Sequence, residues 1–148
     1  MDNLLGNLSV HDLFGVEQCL QKLSPAQLGR LNTLVQTHPI LTEGDFYLRP
    51  TSQNGLDFAL PVPSGEMAHN VVAWSRISDG QEVLCAVNTN QKNPSVLYVT
   101  VDNALHVVNS TMRCLYASDL SPAELNVEVR NGKSIRLSIP PHALVIFG

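Results

Sequence analysis

A chain of 148 residues with a formal charge of −4 and only nine Lys and Arg, none of them clustered, has the size of one domain. That charge leaves no electrostatic footprint for nucleic acid or for an anionic membrane surface, so neither partner is expected. No unbroken apolar run exceeds five residues, as in 143–147, against about 18–20 to span a bilayer, and the N-terminus lacks the basic start and apolar core of a signal peptide. The expectation is a soluble, cytoplasmic chain.

Taken in order, residues 1–23 read as an irregular segment. Ser24, Pro25 and Gln27 then form a strong helix start: the hydroxyl caps a free N–H, Pro presets φ at the first position, and Gln completes a capping box. Leu28, Leu31, Leu34 and Val35 follow at helical spacing, so one face is apolar, and the helix should end at His38 because the residue before Pro39 is pushed out of the α region. Strand candidates follow at 46–49, 56–60, 71–77, 82–89, 96–101, 111–117, 125–130, 134–139 and 143–147, with a surface loop across 61–70. Asp79-Gly80 and Asn131-Gly132 supply positive φ at two turns and mark two hairpins. Val127 and Val129 alternate with polar residues, as on a sheet with one wet face, whereas 83–87 is apolar on both faces and needs cover on two sides. The predicted fold is mainly β, an antiparallel β-sandwich of about seven to nine strands preceded by one α-helix, with 24–40 as the helical part and 41–148 as the β domain.

Few residues carry recognisable chemistry. There is no nucleophile elbow, phosphate-binding loop, dinucleotide fingerprint or zinc-protease helix. Cys19, Cys85 and Cys114 are odd in number and far apart, so neither a disulfide framework nor a zinc site is indicated, and no metal or cofactor is expected. His11-Asp12 is the one acid–base pair adjacent in sequence, but neighbours on a strand point to opposite faces. His38, His69, His106 and His142 are isolated and read as surface or capping residues, and Asp45, Asp57 and Asp79 as turn formers at strand ends.

The run RLNTLVQTHPILTEGDFYLRP at 30–50 resembles the junction where the last barrel helix of α-amylase-family glycoside hydrolases gives way to their C-terminal β domain. Val72-Ala73-Trp74-Ser75-Arg76 with Glu82-Val83-Leu84-Cys85-Ala86-Val87-Asn88-Thr89 is similar to the first long hairpin of that domain, Ile139-Pro140-Pro141-His142-Ala143-Leu144-Val145-Ile146 to its closing strand, and Phe14-Gly15 to the loop before the last barrel helix. The resemblance covers about residues 10–148. It implies that the catalytic Asp, Glu and second Asp belong to a barrel that these residues do not include. His11-Asp12 is too near the helix in sequence to match the family's His-Asp pair. Retaining glycoside hydrolysis needs two carboxyl groups about 5–5.5 Å apart, which implies no catalytic residue and no enzyme here.

Two functions follow. One is a non-catalytic accessory or interaction domain. The alternative is a free-standing carbohydrate-binding module for α-glucans, for which Trp74 is the leading platform, although a Trp in mid-hairpin more often covers an apolar face. Tyr47, Tyr98 and Tyr116 are the other aromatic candidates. The resemblance implies that this helix packs sideways on barrel helices, so Leu28, Leu31, Leu34 and Val35 present more apolar surface than one sandwich edge covers, which predicts an interface with a second copy, as a homodimer, or with a barrel-bearing partner.

Overall fold

The computed structural model describes residues 3–60 and 71–148; the loop expected across 61–70, with His69, lies outside the described residues. Nine strands among them form two antiparallel sheets. The larger holds β1 (Asp45–Leu48), β3 (Val71–Ser78), β4 (Gln81–Asn88), β6 (Thr111–Ala117), β7 (Glu124–Asn126) and β9 (Leu144–Phe147) in the order β1-β3-β4-β9-β6-β7. The smaller pairs β2 (Thr51–Ser52), β5 (Ser95–Val101) and β8 (Lys133–Ile139) in that order. This is the predicted mainly β sandwich, with helices ahead of it.

The doubly apolar strands explain the layering. On β3 and β4, Val71, Ala73, Leu84 and Ala86 face the smaller sheet, where they pack with Leu97, Val99, Ile135 and Leu137. Their neighbours Val72, Trp74, Cys85 and Val87 face the other way and join a second core with Leu4 of the segment before the first helix and with Val16, Leu31 and Leu41 of the helices. Period-two alternation thus sends one hairpin into two cores, and the cover expected on its second face comes from the helices.

Three helices supply that cover, where one was expected. α1 (Val10–Gln21) occupies the segment read as irregular. Ser9 caps it by accepting from the Asp12 amide at 3.2 Å, and Asp12, Val16 and Cys19 fall on its buried side at four- and three-residue spacing. Gly15 sits where the helix crosses Thr89, whose Cγ2 would lie 3.3 Å from a Cβ there, so a residue that weakens the helical signal permits close packing. α2 (Pro25–Thr37) has the predicted capping box, with Ser24 N donating to Gln27 Oε1 at 2.7 Å and Gln27 N to Ser24 Oγ at 3.1 Å, and it ends with His38 as its C-cap. α3 (Ile40–Glu43) is a single further turn.

Both left-handed turns form, with different outcomes. Asp79 and Gly80, at φ 51° and 73°, join β3 and β4 in a full ladder from Val71↔Asn88 to Ser78↔Gln81. Asn131 and Gly132 also adopt positive φ, but the pairing beside them is a single bridge, Glu128↔Ser134. The strand expected at 125–130 is confined to β7, which pairs with β6. Val127 is fully buried but Val129 is 68% exposed, so their alternation does not mark a longer strand. The strand expected at 56–60 is absent: Asn54 Oδ1 accepts from the Leu56 and Asp57 amides at 2.8 and 2.9 Å, spending those donors on an Asx turn. Of that stretch, Ala59 bridges to Thr51.

Candidate functional site

The most concentrated polar chemistry lies at one end of the sandwich, around Glu82. This residue opens β4 with the parity of Leu84 and Ala86 and therefore points into the space between the sheets, where its side chain is fully buried. An isolated carboxylate there would be costly, and the fold surrounds it with donors. Arg49, just after β1, donates from Nη2 to Oε2 at 2.9 Å and from Nε to Ser75 Oγ at 2.8 Å. The connection between β5 and β6 brings the Asp102 amide to Oε1 at 3.0 Å and His106 Nε2 to the same oxygen at 2.6 Å. An acceptor carboxylate requires His106 to carry its proton on Nε2.

Burial pushes the Glu82 carboxyl up, but hydrogen bonds from His106, Ser75 and the Asp102 amide, together with the Arg49 charge, outweigh it and hold the group below the ordinary glutamate range. Both carboxylate oxygens are engaged, Oε2 by Arg49 and Oε1 by the Asp102 amide and His106. The cluster ties β1, β3, β4 and the β5–β6 connection together. Beside it runs a groove of about 390 Å³, lined by Glu82 and His106 and by apolar residues such as Ile40, Leu105 and Met112.

The residues singled out in the sequence lie elsewhere. Trp74 is 0% exposed, and its ring stacks on Phe46 with centroids 6.5 Å apart, so it cannot offer a face to a sugar. The α-glucan platform assigned to it is corrected on that ground: its side of β3 lies beneath the helices. Tyr47 and Tyr98 keep part of their surface, but Arg49 and Arg130 lie over their rings at 5.4 and 4.5 Å. Tyr116 is buried and donates its hydroxyl to Gln27 O at 3.1 Å.

The helix face also differs from expectation. Leu31 is 0% exposed in the second core, Leu34 and Val35 pack against that core half-buried, and Leu28 is half-buried. The predicted interface around Leu31 is therefore corrected: the outer face of the larger sheet covers the centre of this stripe within the chain. Beside it, Arg30, Leu34, Leu115 and Tyr116 line a groove of about 350 Å³ between α2 and β6. His11 and Asp12 lie on a helix, where Asp12 Oδ2 accepts from Ser9 Oγ at 3.0 Å as part of the cap.

Glu82 and Arg49 received no role from the sequence, and His106, read as a surface or capping residue, is corrected to a half-buried partner of Glu82. A carboxylate sharing strand parity with Leu84 and Ala86 was a legible sign that a cation must meet it. The identity of that cation was not legible, because Arg49 and His106 arrive from connections 33 and 24 residues away in sequence.

No protein-family model and no curated protein sequence matches the chain. Solved structures match its fold. A debranching enzyme from Nostoc punctiforme superposes with a TM-score of 0.51 at 22% identity, over 80% of this chain and 20% of that one. A noncanonic maltogenic α-amylase from Thermotoga neapolitana does so with a TM-score of 0.50 at 12% identity, over 80% and 24%. The fold is thus that of a portion of α-amylase-family enzymes, and the chain spans about a fifth to a quarter of the length of these two.

Proposed function

We propose that this chain is a non-catalytic accessory domain of the α-amylase type, working by contact with a barrel-bearing partner. The observation that carries the reading is the pair of fold matches, which take in 80% of this chain but only 20–24% of each enzyme. The rest of such an enzyme is the natural occupant of the groove beside α2. Two features of the chain support a role in packing. Its buried carboxylate is engaged on both oxygens by Arg49, His106 and the Asp102 amide, and Asp12 of the pair at 11–12 is used in a helix cap.

The test is activity of the chain by itself on starch, maltooligosaccharides and sucrose, in material free of host amylase. No turnover is expected. Turnover that disappears in Asp12→Asn but survives changes to exposed carboxylates would overturn the reading. Sedimentation equilibrium from nanomolar to micromolar concentration identifies the occupant: a constant 16.1 kDa species is expected, since Leu31 is already covered within the chain. A dimer would make a second copy the occupant instead.

A further inference from the structure

We propose that residues 3–8 form a strap over an anion-attracting aromatic surface of β3, and that the strap opens while the sandwich stays folded. The surface is a contiguous row on the outer face of the larger sheet. Trp74 and Arg76 stand two residues apart on β3, Phe46 of β1 stacks on Trp74, and the Arg76 guanidinium lies 5.3 Å from the centre of the Phe46 ring. The strap closes over this row through Leu4 and Leu8, both buried in the same core. Gly6 makes the close approach, at φ 52°: a Cβ there would overlap the Phe46 ring and come 2.8 Å from Arg76 Nη2. Asn3 holds the outer end, its Nδ2 donating to Thr42 O at 2.7 Å and its carbonyl accepting from Arg76 Nη2.

What the strap covers is poorly satisfied in place. Arg76 is 4% exposed, yet its charge meets two neutral carbonyls, those of Asn3 and of Gly44 at 2.8 Å, and no carboxylate among the described residues. Among the described residues its Nε has no partner, nor has the indole Nε1 of Trp74, although both are buried. Burial pushes the Arg76 guanidinium below the usual arginine range, the direction expected of a cation buried without a counter-charge. Closing the strap therefore gains the burial of Leu4 and Leu8 and part of Leu5 and loses the hydration of a charge, so the two states are closer in energy than the core around them would suggest. Once open, the row offers a cation and two unspent donors beside stacked rings. That chemistry selects an anion such as a carboxylate, and this inference stands whether or not the accessory-domain reading does.

Trp74 is the chain's single Trp and stacks on Phe46, the ring that Gly6 approaches, so its fluorescence reads the strap through that ring. In Gly6→Val the added side chain has no room, and Trp74 emission should shift to the red and become quenchable. With each quenching constant divided by that of a free tryptophan amide, iodide should then exceed caesium several-fold, since one unit charge about 4 Å away in water is worth about 1 kcal/mol. Adding Arg76→Gln should bring that normalised ratio to about one. In the unaltered chain, amide hydrogen exchange at 4–8 should be faster than at 72–77. A natively folded Gly6→Val with Trp74 still shielded, or with the normalised iodide and caesium constants equal, would overturn the proposal. If that variant fails to fold, exchange in the unaltered chain decides: equal opening free energies at 4–8 and 72–77 would sink the idea.

Discussion

Glu82 and Trp74 illustrate how a side chain's role follows from the face it occupies. Glu82 shares the inner face with Leu84 and Ala86, so its charge is tolerated only through Arg49, His106, Ser75 and the Asp102 amide. Because its folded-state pKa is depressed, the stability it contributes is present above the unfolded value of about 4.3 and is lost as pH falls through the lower folded value. Urea midpoints of the unaltered chain should therefore drop more steeply below about pH 4 than those of Glu82→Gln, which lacks this linkage. At pH 7 Glu82→Ala, leaving Arg49 and His106 unpaired, should cost about 3–5 kcal/mol. Equal acid slopes for Glu82→Gln and the unaltered chain would show that the clamp contributes nothing. Trp74 is fully buried and stacked on Phe46 rather than displayed, so Trp74→Ala should cost about 3–5 kcal/mol of unfolding free energy. Calorimetry should find no starch affinity tighter than about millimolar either before or after that change. Micromolar binding lost in a folded Trp74→Ala would restore the carbohydrate-binding reading.

At the scale of elements, α2 is specified twice, once by its ends and once by its stripe. Ser24→Ala removes the cap for the Gln27 amide and should cost about 1 kcal/mol. Leu31→Ala should cost about 2–5 kcal/mol, because Leu31 lies wholly within the second core. Measured on the monomer by urea unfolding, that ordering separates a helix packed on its own sheet from one awaiting a partner, in which Leu31→Ala would have almost no effect. α1 presents the converse case. Its cap, Ser9, and its buried positions Asp12, Val16 and Cys19 include a carboxylate and a thiol, so the stripe is chemically mixed and does not stand out from an irregular segment. The β7 region differs again: Asn131-Gly132 turns the chain as its composition demands, but β8 takes β5 as its ladder partner. Turn chemistry reverses a chain locally; which strand it then pairs with depends on where the apolar faces can be buried.

At the scale of the molecule, two cores share one sheet. The inner core is a sandwich interior, and the outer one joins the back of the larger sheet to α1, α2 and α3 through Leu31, Leu41, Val16, Trp74 and Ile146. This arrangement covers the centre of the apolar helix face, Leu31, within the chain, and it underlies the expectation of a 16.1 kDa monomer in the absence of a barrel-bearing partner. Among the described residues no helix is long and apolar enough to cross a membrane.

The sequence by itself determined what local chemistry can determine: the antiparallel β class from strand spacing, the α2 boundaries from Ser24, Gln27 and Pro39, the β3–β4 hairpin from Asp79-Gly80, and the need for cover on both faces of 83–87. Its resemblance to α-amylase-family enzymes at 30–50 and 71–89 pointed to the fold that the solved structures match. Tertiary structure decided what depends on residues far apart in the chain. It turned the stripe of Leu31 inward, set Trp74 beneath the helices, brought Arg49 and His106 to Glu82, and left Arg76 covered by residues 3–8 without a carboxylate among the described residues. The physical reason is the same in each case. Periodicity states that a face must be buried or a charge matched, whereas the surface or counter-charge that meets the demand is chosen by how the sheets and helices stack.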